Sequence, residues 1–312
     1  MDSIRMKVAH KRALTDQIAE FTLVAVDGST LPDFTPGAHV TVQTPSGAMR
    51  RYSLVGNGSS PESYMIAVKR EAESRGGSSS MHEAASEGTE LDVEPPENDF
   101  PLTDVAEYLL IAGGIGVTPI YAMAQELERQ NKRFNIIYCT RSANETAYLD
   151  ELTAAYGDRV LIHHDDGDPE KVYDFWDHFA EPQQTHVFCC GPKPLMEEIK
   201  AISGHWPEGR VHFEDFKPID VVRADDVAFE VELAKSGETV TVPEDRSILE
   251  ALRDSGHKTV SSCESGTCGT CKTRLISGDA DHRDMVLMDE EKGEYIMICV
   301  SRATSGKLVL DL

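Results

Sequence analysis

The sequence predicts a multidomain fold: an antiparallel β-barrel or sandwich, then an α/β domain with a parallel sheet, then a small α+β domain. Three observations carry that expectation. Short alternating runs broken by turn residues fill the first part of the chain, continuous apolar runs alternate with helical patterns in the middle, and a hairpin followed by a capped helix opens the last part. A length of 312 residues agrees, since one domain takes roughly 100 to 200 residues.

The first domain, expected over 1–104, contains the runs Glu20-Phe21-Thr22-Leu23-Val24, His39-Val40-Thr41-Val42, Tyr52-Ser53-Leu54 and Met65-Ile66-Ala67-Val68. Asp27-Gly28, Pro36-Gly37 and Ser46-Gly47 lie between them as turns, and strands so spaced make a barrel or sandwich. The second domain, over 105–218, opens on a buried strand at 109–112, and Gly113-Gly114-Ile115-Gly116-Val117-Thr118-Pro119 then leads into an amphipathic helix carrying Ile120, Met123, Ala124 and Leu127. Further strands at 135–138, 160–163 and 186–189 alternate with helical stretches, the pattern of a parallel sheet with crossover helices. An acidic linker over 219–227 leads to the third domain, 228–312. There, strands at 229–233 and 239–242 flank Ser236-Gly237, and Ser247 with Glu250 forms a capping box for a helix over 248–254 that Gly256 ends.

With 40% hydrophobic and 27% charged residues, the chain has a core to bury and is neither disordered nor fibrous. A net charge of -24 would repel phosphate backbones, which argues against nucleic-acid binding, and an acidic surface means solubility or a docking face for a basic protein. No apolar run reaches the roughly 18 residues of a membrane span and the N-terminus lacks a signal-peptide core, so no membrane partner is expected and the cytoplasm is the expected compartment. An odd count of 7 cysteines in a reducing compartment points to metal or redox chemistry rather than disulfides.

The spacing Cys263-x4-Cys268-x2-Cys271, followed by Cys299 28 positions later, is that of a plant-type [2Fe-2S] centre. Gly266 and Gly269 let the backbone wrap the cluster and aim N–H groups at its sulfurs. A structural zinc site would recruit a second paired knuckle, and none lies near Cys299. Cys139 and Cys189 fall in apolar strands as inert thiols, whereas Cys190, in Cys190-Gly191-Pro192 at a strand end, faces the expected ligand crevice.

Three weaker signals stay two-sided. The turn from 113 to 119 can receive a pyrophosphate at a helix N-terminus or be a plain strand-to-helix turn. Arg50-Arg51-Tyr52-Ser53 can hold a phosphate and a flat ring, or line an exposed strand. Arg75-Gly76-Gly77-Ser78-Ser79-Ser80 suits a phosphate loop or a flexible linker.

Together these motifs resemble the phthalate dioxygenase reductase family, within the ferredoxin-NADP reductase superfamily, over almost the whole chain. The resemblance implies an FMN-binding barrel, an NAD-binding α/β domain and a β-grasp ferredoxin domain ligated by Cys263, Cys268, Cys271 and Cys299. Arg50 would hold the FMN phosphate, Arg51, Tyr52 and Ser53 complete the flavin motif, Ala67, Val68 and Lys69 run along the flavin, and Arg75, Gly77, Ser78, Ser79 and Ser80 form the phosphate loop. Gly114, Gly116, Thr118 and Pro119 would take the pyrophosphate, Thr140, Arg141 and Ser142 the ribose, and Cys190, Gly191 and Pro192 the nicotinamide. Cys190, Thr118 and Phe216 would surround the reacting rings. Absence of an adenine-holding insertion after Ser80 favours FMN over FAD, and His163-His164-Asp165-Asp166 would oppose a 2'-phosphate, favouring NADH.

NADH yields two electrons as hydride while a [2Fe-2S] cluster accepts one, so an intervening flavin is expected to split the pair. Because a generic plant-type cluster sits near roughly -400 mV, N–H donation within 262–271 is expected to raise this one. The implied acceptor is the Rieske-type centre of an aromatic-ring oxygenase, phthalate dioxygenase first, with another aromatic oxygenase or an O-demethylase as the alternative and a stand-alone flavin reductase as a second. A monomer is expected.

Overall fold

The computed structural model describes residues 3–71, 76–216, 223, 225–261, 266, 269–284 and 286–312. The chain divides into two compact units, Met1–Asp215 and Phe216–Leu312.

The first unit opens with β1 (Ile4–Ala13), β2 (Ile18–Ala25), β3 (His39–Gln43), β4 (Met49–Val55), β5 (Tyr64–Lys69), helix α1 (Gly77–Ala84) and β6 (Glu90–Val93). The strands close into a barrel in the order β1-β2-β5-β4-β3-β6, with β6 returning antiparallel to β1. Period-two alternation causes this: Phe21, Leu23, Val40, Val42, Leu54 and Ile66 turn inward and are fully buried. Met81 of α1 joins the same core. Lys11 holds the helix end, donating to the carbonyls of His82 at 2.6 Å and Ala85 at 2.8 Å, where unpaired carbonyls attract a cation.

The same unit continues through β7 (Glu107–Gly113), α2 (Val117–Arg129), β8 (Arg133–Thr140), α3 (Leu149–Tyr156), β9 (Val160–His164), α4 (Trp176–Phe179), β10 (His186–Cys190), α5 (Lys193–Ile202) and β11 (Val211–Glu214). All five strands run parallel in the order β11-β10-β7-β8-β9. The order reverses between β7 and β10, so their carboxyl ends open a crevice, the ordinary ligand position in such sheets. Val117, Ile120, Met123, Ala124 and Leu127 of α2 are buried against the sheet. Ile18, Ala67 and Phe100 of the barrel region share that core, which makes barrel and sheet one packed body.

The second unit contains β12 (Phe229–Leu233), β13 (Thr239–Val242), α6 (Ile248–Asp254), β14 (Lys272–Ser277), β15 (Ala280–Asp281), β16 (Tyr295–Met297), β17 (Arg302–Ala303) and β18 (Lys307–Leu310). Five strands form a mixed sheet, β13-β12-β18-β14-β16, and β15 pairs β17 beside it. This is the β-grasp arrangement, in which Ile248 and Leu252 of α6 bury against Val231, Val242 and Leu308. Ser247 caps α6 reciprocally with Glu250, and Gly256 ends the helix region at a φ of 85°. Asp226 pairs with Arg283 through two contacts at 2.5 and 2.8 Å, while Arg302 lies 3.4 Å from Asp226 and donates to the carbonyls of Arg246, Val227 and Pro243. Among the described residues no helix is long and apolar enough to cross a membrane.

Candidate functional site

The crevice is shaped by glycines that stand where backbones touch. A Cβ on Gly116 would fall 2.2 Å from the Cys190 carbonyl oxygen, and one on Gly113 would fall 2.5 Å from Pro192 Cδ. Gly191 in turn lies against Gly113, 3.0 Å from where a Cβ would sit. The turns after β7 and β10 therefore approach as closely as main chains can. Gly114 adopts a φ of 52°, and the Tyr138 hydroxyl donates to its carbonyl at 3.0 Å. At this turn α2, a 13-residue helix, presents its N-terminal N–H groups to the crevice. Thr118 is buried and donates to the Ile115 carbonyl at 3.1 Å, and Pro119 is buried beside it.

Facing the crevice, β4 divides its side chains between two faces. Arg50 and Tyr52 share one face, where they pair with Val42 and Val40, and Arg51 and Ser53 share the other, where they pair with Thr41 and His39. A Cβ on Gly77 would lie 2.8 Å from Arg50 Nε, so the missing side chain lets the guanidinium rest on the first turn of α1. This is a correction to the expected loop: Gly77, Ser78, Ser79 and Ser80 are helical, and Arg50 lies against the first of them. Ser80 donates to the Gly77 carbonyl at 2.9 Å, and the Ser78 hydroxyl accepts from the Glu71 amide at 3.1 Å. Arg75 lies outside the described residues.

Two buried atoms on β4 have no partner, Tyr52 OH and Ser53 Oγ. Burial pushes the Tyr52 phenol up to about 12, so it stays a protonated donor. An orphaned donor costs roughly 1 to 3 kcal/mol, and a polar planar ligand with a phosphate tail would satisfy Tyr52 OH and the Arg50 cradle on their shared face of β4. These residues fit a flavin. Ala67 and Val68 are buried on β5, while Lys69 is half-exposed with its Nζ 3.6 Å from Glu71.

Arg51 takes a course the motif did not foretell. Its guanidinium donates to Asp99 at 2.5 Å and lies 2.9 Å from His39 Nδ1, so it belongs to a barrel-edge network. Sequence reasoning gave no role to Glu214, which pairs in register with Cys190 at the end of β11. Glu214 Oε2 is sealed from solvent with no hydrogen-bond partner, and burial drives its acid up to about 8 against the pull of Arg51 and with the push of Asp99. In the sequence it lies in Phe213-Glu214-Asp215-Phe216, similar to the family's segment closing this domain, where the resemblance gives only Phe216 a role. The Cys190 thiol is fully buried and pushed well above its usual value, which makes it a neutral apolar contact and no nucleophile. Phe216 begins the second unit and is 40% exposed.

At the outer end of the sheet, Thr140 is buried and held by Thr146 at 2.7 Å and His164 Nδ1 at 2.9 Å. Its role is to shape the strand end, leaving exposed Arg141 and half-buried Ser142 facing outward. Backbone amides of Asp165 and Asp166 donate to the carbonyls of Thr140 and Arg141, which fixes the acidic pair beside them.

In the second unit the thiols of Cys271 and Cys299 converge to 3.0 Å, both buried at 3% and 2% exposure. Cys263 and Cys268 lie outside the described residues, as does most of the expected N–H cradle. Gly266 and Gly269 hold left-handed φ values of 72° and 82°, the backbone that a tight metal loop demands and a Cβ opposes. The Leu249 amide donates to the Ile298 carbonyl at 2.9 Å and so ties α6 to the chain at Cys299.

A barrel with a flavin-shaped face, a parallel sheet with a nucleotide turn and a β-grasp unit with converging thiols define an NAD-binding iron–sulfur oxidoreductase. Family models agree: residues 231–304 match the 2Fe-2S iron-sulfur cluster binding domain and residues 110–201 the oxidoreductase NAD-binding domain. The chain is 48% identical to phthalate dioxygenase reductase of Burkholderia cepacia over 99% of its length and 97% of the relative's. It is also 48% identical to the phthalate 4,5-dioxygenase oxygenase reductase subunit of Pseudomonas putida, over 98% and 96% of the two chains. A solved phthalate dioxygenase reductase, described as a modular structure for electron transfer from pyridine nucleotides to [2Fe-2S], superposes with a TM-score of 0.87 at 47% identity, over 99% and 98% of the chains. The chain belongs to the phthalate dioxygenase reductase family.

Proposed function

We propose that this chain is the reductase component of a Rieske-type aromatic-ring oxygenase, phthalate dioxygenase first, which takes electrons from NADH and passes them through FMN and a [2Fe-2S] cluster. One observation carries the flavin half of this reading: buried Tyr52 OH stands without a partner on the same face of β4 as Arg50, which rests on Gly77. A flavin supplies the conversion of a hydride's two electrons into single electrons, and a [2Fe-2S] cluster handles them one at a time.

The protein's contribution is positioning. Arg50 and the α1 N-terminus would neutralise the phosphate, the Tyr52 hydroxyl would donate to the bound flavin, and the short path from β5 to α1 leaves no insertion for an adenine, which favours FMN. Gly113, Gly116 and Gly191 bring backbone N–H groups to a pyrophosphate, while Cys190 gives the nicotinamide a dry wall that excludes water. Thr140, Arg141 and Ser142 mark the ribose end, and Asp165 and Asp166 set a negative field there that favours NADH over a 2'-phosphorylated nucleotide. Cys271 and Cys299 would hold the [2Fe-2S] cluster together with Cys263 and Cys268. No acid–base pair is required, because hydride leaves the nicotinamide with its own electrons. The acidic chain would meet the oxygenase as a cytoplasmic monomer.

Anaerobic titration with NADH tests the reading. Flavin and iron–sulfur absorbance bleaching together, with electrons accounted for by one flavin and one cluster per chain, is the expected result. A colourless protein, or flavin that bleaches while the cluster does not, overturns it.

A further inference from the structure

Tyr148 joins the nucleotide sheet to the barrel and is held there against its backbone preference. It precedes α3 in the left-handed region, at a φ of 59°, a conformation that an aromatic residue keeps only where its surroundings fix it. Its ring lies 4.9 Å from that of Tyr121 in α2, and its hydroxyl donates to Glu20 Oε2 of β2 at 2.9 Å. Tyr148 is 3% exposed and Glu20 5%, so water cannot stand in for this bond. Burial and the Glu20 charge both push the phenol well above its ordinary value, which keeps the proton on the donor. Arg12 completes the group, donating to the two Glu20 oxygens at 3.1 and 3.3 Å and to Glu151 of α3 at 2.8 Å.

The contacts run on in both directions to the expected ligands. On the sheet side, Thr146, two positions before Tyr148, donates to the Ser142 carbonyl at 2.8 Å and meets the Thr140 hydroxyl at 2.7 Å, so Tyr148 is tied to the segment assigned to the ribose. On the barrel side, Glu20 pairs across the strands with Ala67, on the stretch of β5 assigned to the flavin. Helix α2, whose N-terminus faces the crevice, is clasped to the barrel a second time where Gln125 accepts from the Gly56 amide at 3.1 Å. We propose that Tyr148 is a positioning residue for hydride transfer: its hydroxyl on Glu20 fixes the seat of the nucleotide sheet on the barrel, and with it the approach of the nicotinamide to the flavin. The inference rests on the nucleotide and flavin readings above. Hydride leaves the nicotinamide carbon with both electrons of its C–H bond and reduces the flavin, the nicotinamide ring being left a cation, so Tyr148 exchanges no proton and acts through geometry alone.

The test compares the flavin-loaded full chain with Tyr148→Phe, which keeps the ring and removes only the oxygen, with Glu20→Ala, with both together and with Glu20→Gln. Single-turnover bleaching of the flavin by NADH gives a limiting rate and a half-saturating concentration, and hydrogen exchange over 143–149 reports on the segment without turnover. Tyr148→Phe should lower the limiting rate about tenfold, leave half-saturation within about twofold and speed exchange about tenfold. Glu20→Ala should do the same, the double variant no more, and Glu20→Gln, which still offers an oxygen, should stay within about threefold of wild type. A limiting rate that holds while exchange speeds up would make the bond a packing contact and overturn the proposal, as would a loss confined to half-saturation or losses that multiply in the double variant. Should Glu20→Ala not fold, Tyr148→Phe against Glu20→Gln decides alone. Failure of NADH to bleach wild-type flavin would overturn the readings beneath the proposal instead, with exchange still reporting on the Tyr148 bond.

Discussion

The crevice of the first unit and the buried charges of the second treat desolvated polar groups in opposite ways. In the second unit Asp226 meets Arg283 in two contacts, and Arg302, 1% exposed, donates to three backbone carbonyls. In the first, Tyr52 OH, Ser53 Oγ and Glu214 Oε2 are buried and unmatched. A closed network stabilises a fold, while a row of open donors and acceptors waits for a ligand, since each open group costs roughly 1 to 3 kcal/mol until it is filled. Burial of charge therefore does not mark a site by itself; buried incompleteness does.

The largest expected break of this contrast is Cys299→Ser. It removes one of two thiols that converge to 3.0 Å. NADH-driven cytochrome c reduction should fall to background, while reduction of a dye that accepts directly from flavin stays within about twofold, because the first unit has its own core. Equal loss of both activities would show that the two units do not act in series. Gly116→Ala should come next. The added Cβ would stand 2.2 Å from a carbonyl oxygen, so the turns after β7 and β10 must part. A displacement of that order costs about 100-fold in a positioned reaction, so dye reduction by NADH should drop by that factor with flavin still bound.

Asp226→Asn addresses the closed network. The Arg283 guanidinium holds the Asp226 carboxyl down to about 2, against an ordinary value of 3.8, and its side chain is 7% exposed. A depressed acid adds stability that is present above its unfolded value and is lost as pH falls through its folded one. The variant should thus destabilise the second unit by about 2 kcal/mol at neutral pH, with the difference closing between about pH 4 and pH 2. Urea unfolding across that range measures it; a pH-independent difference would assign the loss to packing.

Legibility in the sequence follows the same division. The cluster loop is local, so residue type and spacing over 263–271 announced it, and both of its glycines take the left-handed backbone expected of them. Barrel, parallel sheet and capped helix were legible because hydrophobic period reports which face is buried. The burial of Glu214 was not, because it depends on β11 lying beside β10, which no local pattern reports. Arg51 was assigned to the flavin with its neighbours, yet alternation along β4 turns it to the face opposite Arg50, toward His39 and Asp99. Nor could composition distinguish a glycine–serine loop from the helix that starts at 77.

Gly77→Ala is the smallest of the expected effects and separates the two kinds of region most finely. The new methyl would meet Arg50 Nε at 2.8 Å and Cγ at 2.9 Å, atoms of a flexible side chain that can move aside at little cost. Alanine is also the better helix former, so the protein without flavin should be no less stable than wild type. What must suffer is the pairing of the displaced guanidinium with the α1 N-terminus. FMN should bind about tenfold more weakly, a change of about 1.4 kcal/mol, read by fluorescence as flavin is released on dilution. A variant that loses stability but keeps FMN affinity would make Gly77 a packing residue and reduce Arg50 to a surface cation; unchanged stability with weakened FMN would show that the open space over this helix exists for the ligand.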